Sequence, residues 1–243
     1  MKGFLAALRF LTVLPVPGRD AGVHPHSAWY FPAVGLLLGL ILAGVDRLLI
    51  RVLPLPPESA CLVLLLVVLT GGLHLDGLAD ASDGLFSNRP REHALAIMRD
   101  SRTGPMGVAS VVLILILQTT LLASLTGPGR TGALVLAPLA GRCGMITVMG
   151  LLPYARSQGL AAAFRSTRGL AAWGLAWSGL AGWLLLGAWG VAAGIGGWMA
   201  ALLLAWYYAR KIGGYTGDML GAACEICSLV PLLIAAAGLG IRG

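Results

Sequence analysis

The chain has 243 residues, 58% of them hydrophobic and only 11% charged, with a net charge of +7 and a mean hydropathy of +0.86. Soluble domains carry roughly 25% charged residues, so this composition excludes a soluble globular domain and points to an all-α polytopic integral membrane protein. The cations stand singly or in pairs between oily runs, a pattern that serves membrane orientation rather than nucleic acid binding.

The opening MKGFLAALRFLTVLPVPGR has an apolar core too short to span and no small-residue cleavage site, so it reads as a retained N-terminal interfacial helix. About seven transmembrane helices follow, near residues 31–50, 59–75, 105–126, 131–152, 170–187, 189–209 and 219–238. Breaks fall where Pro, Gly and Arg cluster, at LPLPP (53–57), GPGR (127–130) and ARSQGLAAAFRSTRG from 155. The weakest break separates the fifth and sixth spans, where GAWG is barely a turn. Residues 1–243 read as a single membrane-embedded domain. Cys61, Cys143, Cys224 and Cys227 lie mostly in apolar runs and read as small hydrophobes. The Cys224–Cys227 spacing has no second pair to make a metal site with it.

Positive charge sets the orientation. With the N-terminus inside, the inner segments collect Lys2, Arg9, Arg19, Arg89, Arg91, Arg99, Arg102, Arg156, Arg165, Arg168, Arg210 and Lys211. Arg47, Arg51, Arg130 and Arg242 fall at the outer side, with Arg142 inside a span. The bias places Asp76, Asp80, Asp83, Glu92, Asp100 and Asp218 at the cytoplasmic face, with Glu225 about two turns deeper. Asp46, near the outer end of the first span, is expected to pair with Arg47 or Arg51.

The stretch GGLHLDGLADASDGLFS, residues 71–87, places three aspartates at i, i+4 and i+7. On a helix, Asp76, Asp80 and Asp83 share an arc of about 60°. Carboxylates this close at a membrane boundary need cations, protons or a divalent metal. Oxygen ligands without thiolate or paired imidazole suit Mg²⁺ or Mn²⁺ rather than zinc. Asp76 and Asp83 stand about 10 Å apart along an unbroken helix, so either two adjacent acids hold one ion, or two ions bind, or the helix breaks at Gly77 or Gly84. His74 lies off the acidic face and reads either as a satisfied interface histidine or as a substrate contact.

A second stretch, GGYTGDMLGAACEI at 213–226, sets Asp218 and Glu225 seven residues apart on one helix face behind Gly213, Gly214 and Gly217. A glycine-rich helix start suits a phosphate, or it is simply a turn with Asp218 as its cap. Glu225 within an apolar span needs a partner or a proton. In the third stretch, MRDSRTGPMG at 98–107, Arg99 and Arg102 flank Asp100, and arginine forks match phosphate oxygens.

Acids and arginines gathered at one interface favour an enzyme acting on a phosphorylated substrate, with phosphoryl transfer as its chemistry. An ion-coupled transporter would place its acids near the midplane on broken helices.

GGLHLDGLADASDGLFS, MRDSRTGPMG and GGYTGDMLGAACEICSLVPLL resemble the signature segments of the cobalamin synthase family. FLTVLPVPGR (10–19), FPAVGLLLG (31–39) and YARSQGL (154–160) fall in that family's order, so the likeness spans essentially the whole chain. The resemblance implies an adenosylcobinamide-GDP ribazoletransferase of the bacterial inner membrane. Such an enzyme joins adenosylcobinamide-GDP to α-ribazole, or its 5′-phosphate, and releases GMP with Mg²⁺ as cofactor. The aspartate cluster is also similar, in part, to CDP-alcohol phosphatidyltransferases, whose Ala-Arg step and downstream paired aspartates do not follow Asp83 here.

On this reading Asp76, Asp80, Asp83, Asp218 and Glu225 are the candidate metal ligands, and Asp83 or Asp80 takes the acceptor's proton. Arg99, Arg102, Asp100 and Gly217 form the candidate phosphate site. The expected partners are the two substrates and the lipid bilayer, with a homo-oligomer or an assembly with other corrinoid-building enzymes, and no nucleic acid.

Overall fold

Proline and glycine set most helix boundaries in the computed structural model, which describes residues 2–16, 25–156, 159, 164 and 169–239. Arg19, Arg165, Arg168 and Arg242, counted above for orientation, lie outside the described residues, as do parts of FLTVLPVPGR and YARSQGL. The helices are α1 (Lys2–Leu11), α2 (Phe31–Leu49), α3 (Leu55–Leu69), α4 (Leu73–Phe86), α5 (Arg91–Ile97), α6 (Pro105–Ala123), α7 (Gly127–Leu151), α8 (Gly169–Lys211) and α9 (Gly217–Leu239). Pro occupies the first turn of α2, α3, α6 and α7, where its missing N–H has no helical partner to lose. Among the described residues there is no strand, only an isolated bridge between Tyr154 and Tyr215.

Five helices are long and apolar enough to cross a membrane, or six if α3 and α4 are taken as one broken span. The longest, α8, is itself two arms. Gly187 sits at φ 58°, ψ −134°, a conformation open to glycine, and the chain reverses there. The Trp198 indole donates to the Ala171 carbonyl at 3.1 Å. Gly182 faces Gly190, and Gly194 faces Ser178, with backbone against backbone. The weak GAWG break is therefore a tight helical hairpin, and the fifth and sixth expected spans are its arms, 169–186 and 188–211.

The second expected span, 59–75, is corrected. Gly71 and Gly72 both take positive φ, 60° and 71°, ending α3 at Leu69 and turning α4 through 88°. The Leu69 carbonyl freed by that turn accepts the Val13 amide at 2.9 Å, which ties the segment after α1 to the corner. The acidic stretch forms a separate helix instead of the tail of a span. The break falls before the aspartates; α4 runs unbroken through Gly77 and Gly84.

At the centre stands α7, with every residue from Gly132 to Gly150 buried. Small residues let neighbours approach it closely. A Cβ on Gly35 or Gly39 of α2 would come within 2.6 Å of α7 backbone atoms at Pro138 and Val135. The α1 helix is too short to span; Phe10 near its end stacks on Phe31 at 5.9 Å.

At the α3–α6–α7 end of the bundle, Arg130 is 1% exposed. It donates to Asp46 at 2.7 Å and Ser59 at 3.2 Å, and pairs with Glu58. Asp46 is thus held by Arg130 across helices, in place of Arg47 or Arg51 beside it in sequence. Arg47 and Arg51 lie next to it along the chain, whereas Asp46 faces the core, 4% exposed.

Candidate active site

The two acidic stretches meet because α4 and α9 cross at glycine. A Cβ on Gly77 would lie 2.9 Å from the Asp218 carbonyl oxygen, and one on Gly221 would lie 3.0 Å from both the Gly77 Cα and the His74 carbonyl oxygen. Only residues without side chains allow this approach. It sets Asp76 beside Asp218 at the mouth of a cleft of about 210 Å³. The walls come from Phe10, Leu73, His74, Met145, Tyr154, Arg156, Gly217 and Leu220, among others.

Two loops close one side of this cleft. The Ala155 amide donates to the Tyr215 carbonyl at 2.8 Å, and the Tyr215 amide to the Pro153 carbonyl at 3.0 Å. Arg91 binds both loops, through Nε to the Ile212 carbonyl at 2.6 Å and Nη2 to the Ala155 carbonyl at 3.1 Å. Arg156 is thereby delivered to the start of α9, where Nη2 meets Asp218 Oδ2 at 2.8 Å. The Thr216 hydroxyl accepts the Met219 amide at 3.3 Å, capping α9 and pointing its first turn at the cleft. The Asp218 carboxylate stands in that turn as a cleft-facing group. A Cβ on Gly217 would meet nothing within 4 Å, so this position leaves space for a bound group.

Asp80 is half-buried on α4 and feels the charges of Asp76, Asp218 and Asp83 and of Arg156. Asp76, Asp80 and Asp218 therefore form one acidic group with Arg156 as its paired cation. Asp83 does something else. Its Oδ2 accepts the Gly104 amide at 2.6 Å and its Oδ1 the Gly107 amide at 2.9 Å, so its carboxylate caps the N-terminus of α6. Pro105 between them has no amide to offer. Both oxygens of this candidate proton acceptor are committed to this structural task.

Glu225 is also apart from the cleft. It faces α6, where Gln118 Nε2 donates to Oε2 at 2.8 Å, so the half-buried acid has a neutral polar partner. In the exposed loop, Arg102 forms a fork on Asp100, at 3.1 Å through Nε and 2.7 Å through Nη2. Those bonds hold the Asp100 carboxyl down to about 2. Arg102 is thus occupied by its neighbour, while Arg99 is exposed on the same loop and exerts its charge on Tyr154. Burial raises the Tyr154 phenol above its ordinary range, so it stands in the cleft as a neutral O–H.

His74 is 1% exposed, and its Nε2 has no hydrogen-bond partner. Arg156 is the site residue that the motif reading passed over. It lay in YARSQGL, where its charge was counted only toward orientation, and its pairing with Asp218 is set by the Tyr154–Tyr215 bridge, a contact between distant segments.

The donor set suits a hard divalent cation. Among the described residues, no three carboxylate, imidazole or thiolate groups converge on one point, but Mg²⁺ keeps several waters and needs only one or two carboxylates plus substrate phosphate. Asp76, Asp80 and Asp218 outnumber their single paired cation, and Asp76 and Asp218 offer such donors at the cleft itself.

The family model described as cobalamin-5-phosphate synthase matches residues 3–236. Relatives named adenosylcobinamide-GDP ribazoletransferase include that of Geotalea daltonii, 37% identical over 96% of both chains. That of Pseudomonas putida KT2440 is 40% identical over 98% of this chain and 100% of its own. The Acetivibrio thermocellus relative is 38% identical over 93% and 94%. No solved structure matches. With near-complete coverage at this identity, the chain belongs to the cobalamin-5-phosphate synthase family.

Proposed function

We propose that this chain is an adenosylcobinamide-GDP ribazoletransferase of the bacterial cytoplasmic membrane, with its cleft open to the cytoplasm. It joins adenosylcobinamide-GDP to α-ribazole or its 5′-phosphate, releasing GMP. The observation that carries this reading is the α4–α9 crossing at Gly77 and Gly221, which brings Asp76, Asp218 and Arg156 to one cleft, with Asp80 within reach of their charges. Family membership supplies the reaction class, and the positive-inside bias supports the side.

Asp76, Asp80 and Asp218 would hold Mg²⁺ against the pyrophosphate. Bound there, the ion offsets charge on the phosphates and on departing GMP. Arg156 is placed to exchange Asp218 for a phosphate oxygen, and Arg99 adds positive charge at the rim. The α9 N-terminus favours an anion in front of Gly217. A ribose hydroxyl of the acceptor attacks the cobinamide-side phosphorus: a new O–P bond forms, the P–O bond to GMP breaks, and the hydroxyl proton passes to a carboxylate. Asp80 is the better proton acceptor of the two candidates, since Asp83 is committed to α6.

The test is direct. Purified protein in proteoliposomes receives adenosylcobinamide-GDP, α-ribazole and Mg²⁺, and GMP and completed corrinoid are measured with and without EDTA. GMP that appears only with both substrates and free Mg²⁺ is the expected result. Substrate flux across the vesicle without GMP would instead mean a transporter.

A further inference from the structure

We propose that the α4–α9 cleft is the subsite for the acceptor nucleoside's uncharged heteroaromatic base, with His74 Nε2 as the polar group that recognises it. The proposal rests on the transferase reading above and adds which substrate enters the cleft and what reads it.

Charge is the first argument. A guanosine diphosphate group buried in this cleft would need several cations facing it, yet Arg156 is the cationic lining residue and is already paired with Asp218 at 2.8 Å. The acids Asp76 and Asp218 further disfavour a buried anion without a metal. The donor's phosphates are better served at the mouth, where the acids can hold Mg²⁺ and Arg99 adds charge. The interior then falls to a group without charge.

Shape and chemistry agree. Phe10, Leu73, Met145 and Leu220 give apolar walls, and Phe10 and Tyr154 bring two aromatic rings, the lining that flat heterocycles take. The cleft's volume of about 210 Å³ is below the roughly 300–1,000 Å³ of drug-sized sites. It is on the scale of a bicyclic base, and a corrin macrocycle carrying its nucleotide is far larger.

Two buried side-chain atoms on residues that line the cleft lack partners, Arg156 Nε and His74 Nε2, and the second is not a cation's. His74 is 1% exposed and its Nε2 lacks a partner, a costly state that a ligand atom relieves. The imidazole is firmly placed, because its own backbone is pressed on Gly221, where a Cβ would lie 3.3 Å from the His74 Cα. A benzimidazole riboside has one ring nitrogen bonded to ribose and a second that accepts a hydrogen bond. His74 Nε2–H donating to that second nitrogen turns the ribose toward Asp76 and Asp218, where its hydroxyl reacts.

The experiment compares α-ribazole with the riboside of an indole base, in which carbon replaces the accepting nitrogen. GMP release is followed at saturating adenosylcobinamide-GDP and Mg²⁺. The wild-type protein is expected to prefer α-ribazole by about tenfold in kcat/KM, as one hydrogen bond provides. His74→Ala lowers kcat/KM for α-ribazole by about tenfold and leaves that for the indole riboside unchanged, so the preference disappears. The KM for adenosylcobinamide-GDP stays the same.

His74→Gln, which keeps an N–H donor, retains part of the preference and provides the comparison if the alanine variant does not accumulate. Equal preference in wild type and variants overturns the proposal, as does a wild type that ignores the nitrogen or a rise confined to the KM of adenosylcobinamide-GDP. A wild type that releases no GMP with α-ribazole would defeat the transferase reading itself, which is a distinguishable result.

Discussion

Asp83→Ala separates two roles that one carboxylate could play. In the structure this side chain accepts the Gly104 amide at 2.6 Å and the Gly107 amide at 2.9 Å, so its removal strands two donors at the α6 N-terminus and deletes a charge that favours that end of the helix. Hydrogen bonds to a charged group contribute about 1.5–3 kcal/mol each, and water recovers part of the loss at half-buried Gly104, giving a net destabilisation of about 2–4 kcal/mol. For a chain of this size that is a fall of roughly 5–15 °C in Tm. Asp83→Asn keeps one acceptor oxygen and should lose about half as much. The assay is thermal unfolding in detergent, alongside a Mg²⁺ titration of GMP release by the same samples. An Asp83→Ala protein with wild-type Tm and a raised Mg²⁺ requirement would make Asp83 a metal ligand and refute the capping argument.

Other substitutions follow from the same geometry. Arg130→Ala leaves Asp46 and Glu58 buried without their cation and should destabilise by about 3–5 kcal/mol, seen as a lower Tm, while KM for both substrates is unchanged in the protein that remains folded. Gly221→Leu drives a side chain into the Gly77 backbone, and should cut GMP release at least tenfold by separating Asp76 from Asp218; wild-type turnover would show that the crossing does not set the site. Arg156→Ala frees Asp218 and removes the phosphate partner. The KM for adenosylcobinamide-GDP should rise about 10–100-fold, as expected for one charge-assisted contact, and an unchanged KM would place the pyrophosphate elsewhere.

Much of this arrangement was legible locally. The i, i+4, i+7 aspartates, the glycine-rich start of α9 and the oily spans are all patterns within one segment, and apart from the second span, cut short at Leu69, the structure keeps them on helices. Even the faint GAWG break proves to be a reversal, because Gly187 adopts a backbone that few other residues tolerate. Segment-level patterns do not specify which distant group answers a charge. Asp83 looked like a member of the acidic face until residues 104–107 returned to claim it. Asp46 looked outward to Arg47 and Arg51, while its partner was Arg130, 84 positions away.

A single ion shared by Asp76 and Asp83 would have needed a break at Gly77 or Gly84, yet the helix runs through both and the chain breaks at Gly71 and Gly72. Gly77 serves a helix crossing instead, and nothing in its local sequence distinguishes those two uses of glycine. Arg156 became a site residue only through a backbone bridge between two loops, a tertiary event without a local signature.

GMP release as a function of Mg²⁺ concentration, in wild type and Asp80→Asn, tests the central claim most directly. Asp80 touches the charges of Asp76, Asp83, Asp218 and Arg156 without forming part of the α6 cap. The account predicts that Asp80→Asn keeps its wild-type Tm and loses GMP release at every Mg²⁺ concentration. Near-normal turnover with an unchanged Mg²⁺ dependence would contradict it, and would remove the α4–α9 carboxylates from the chemistry.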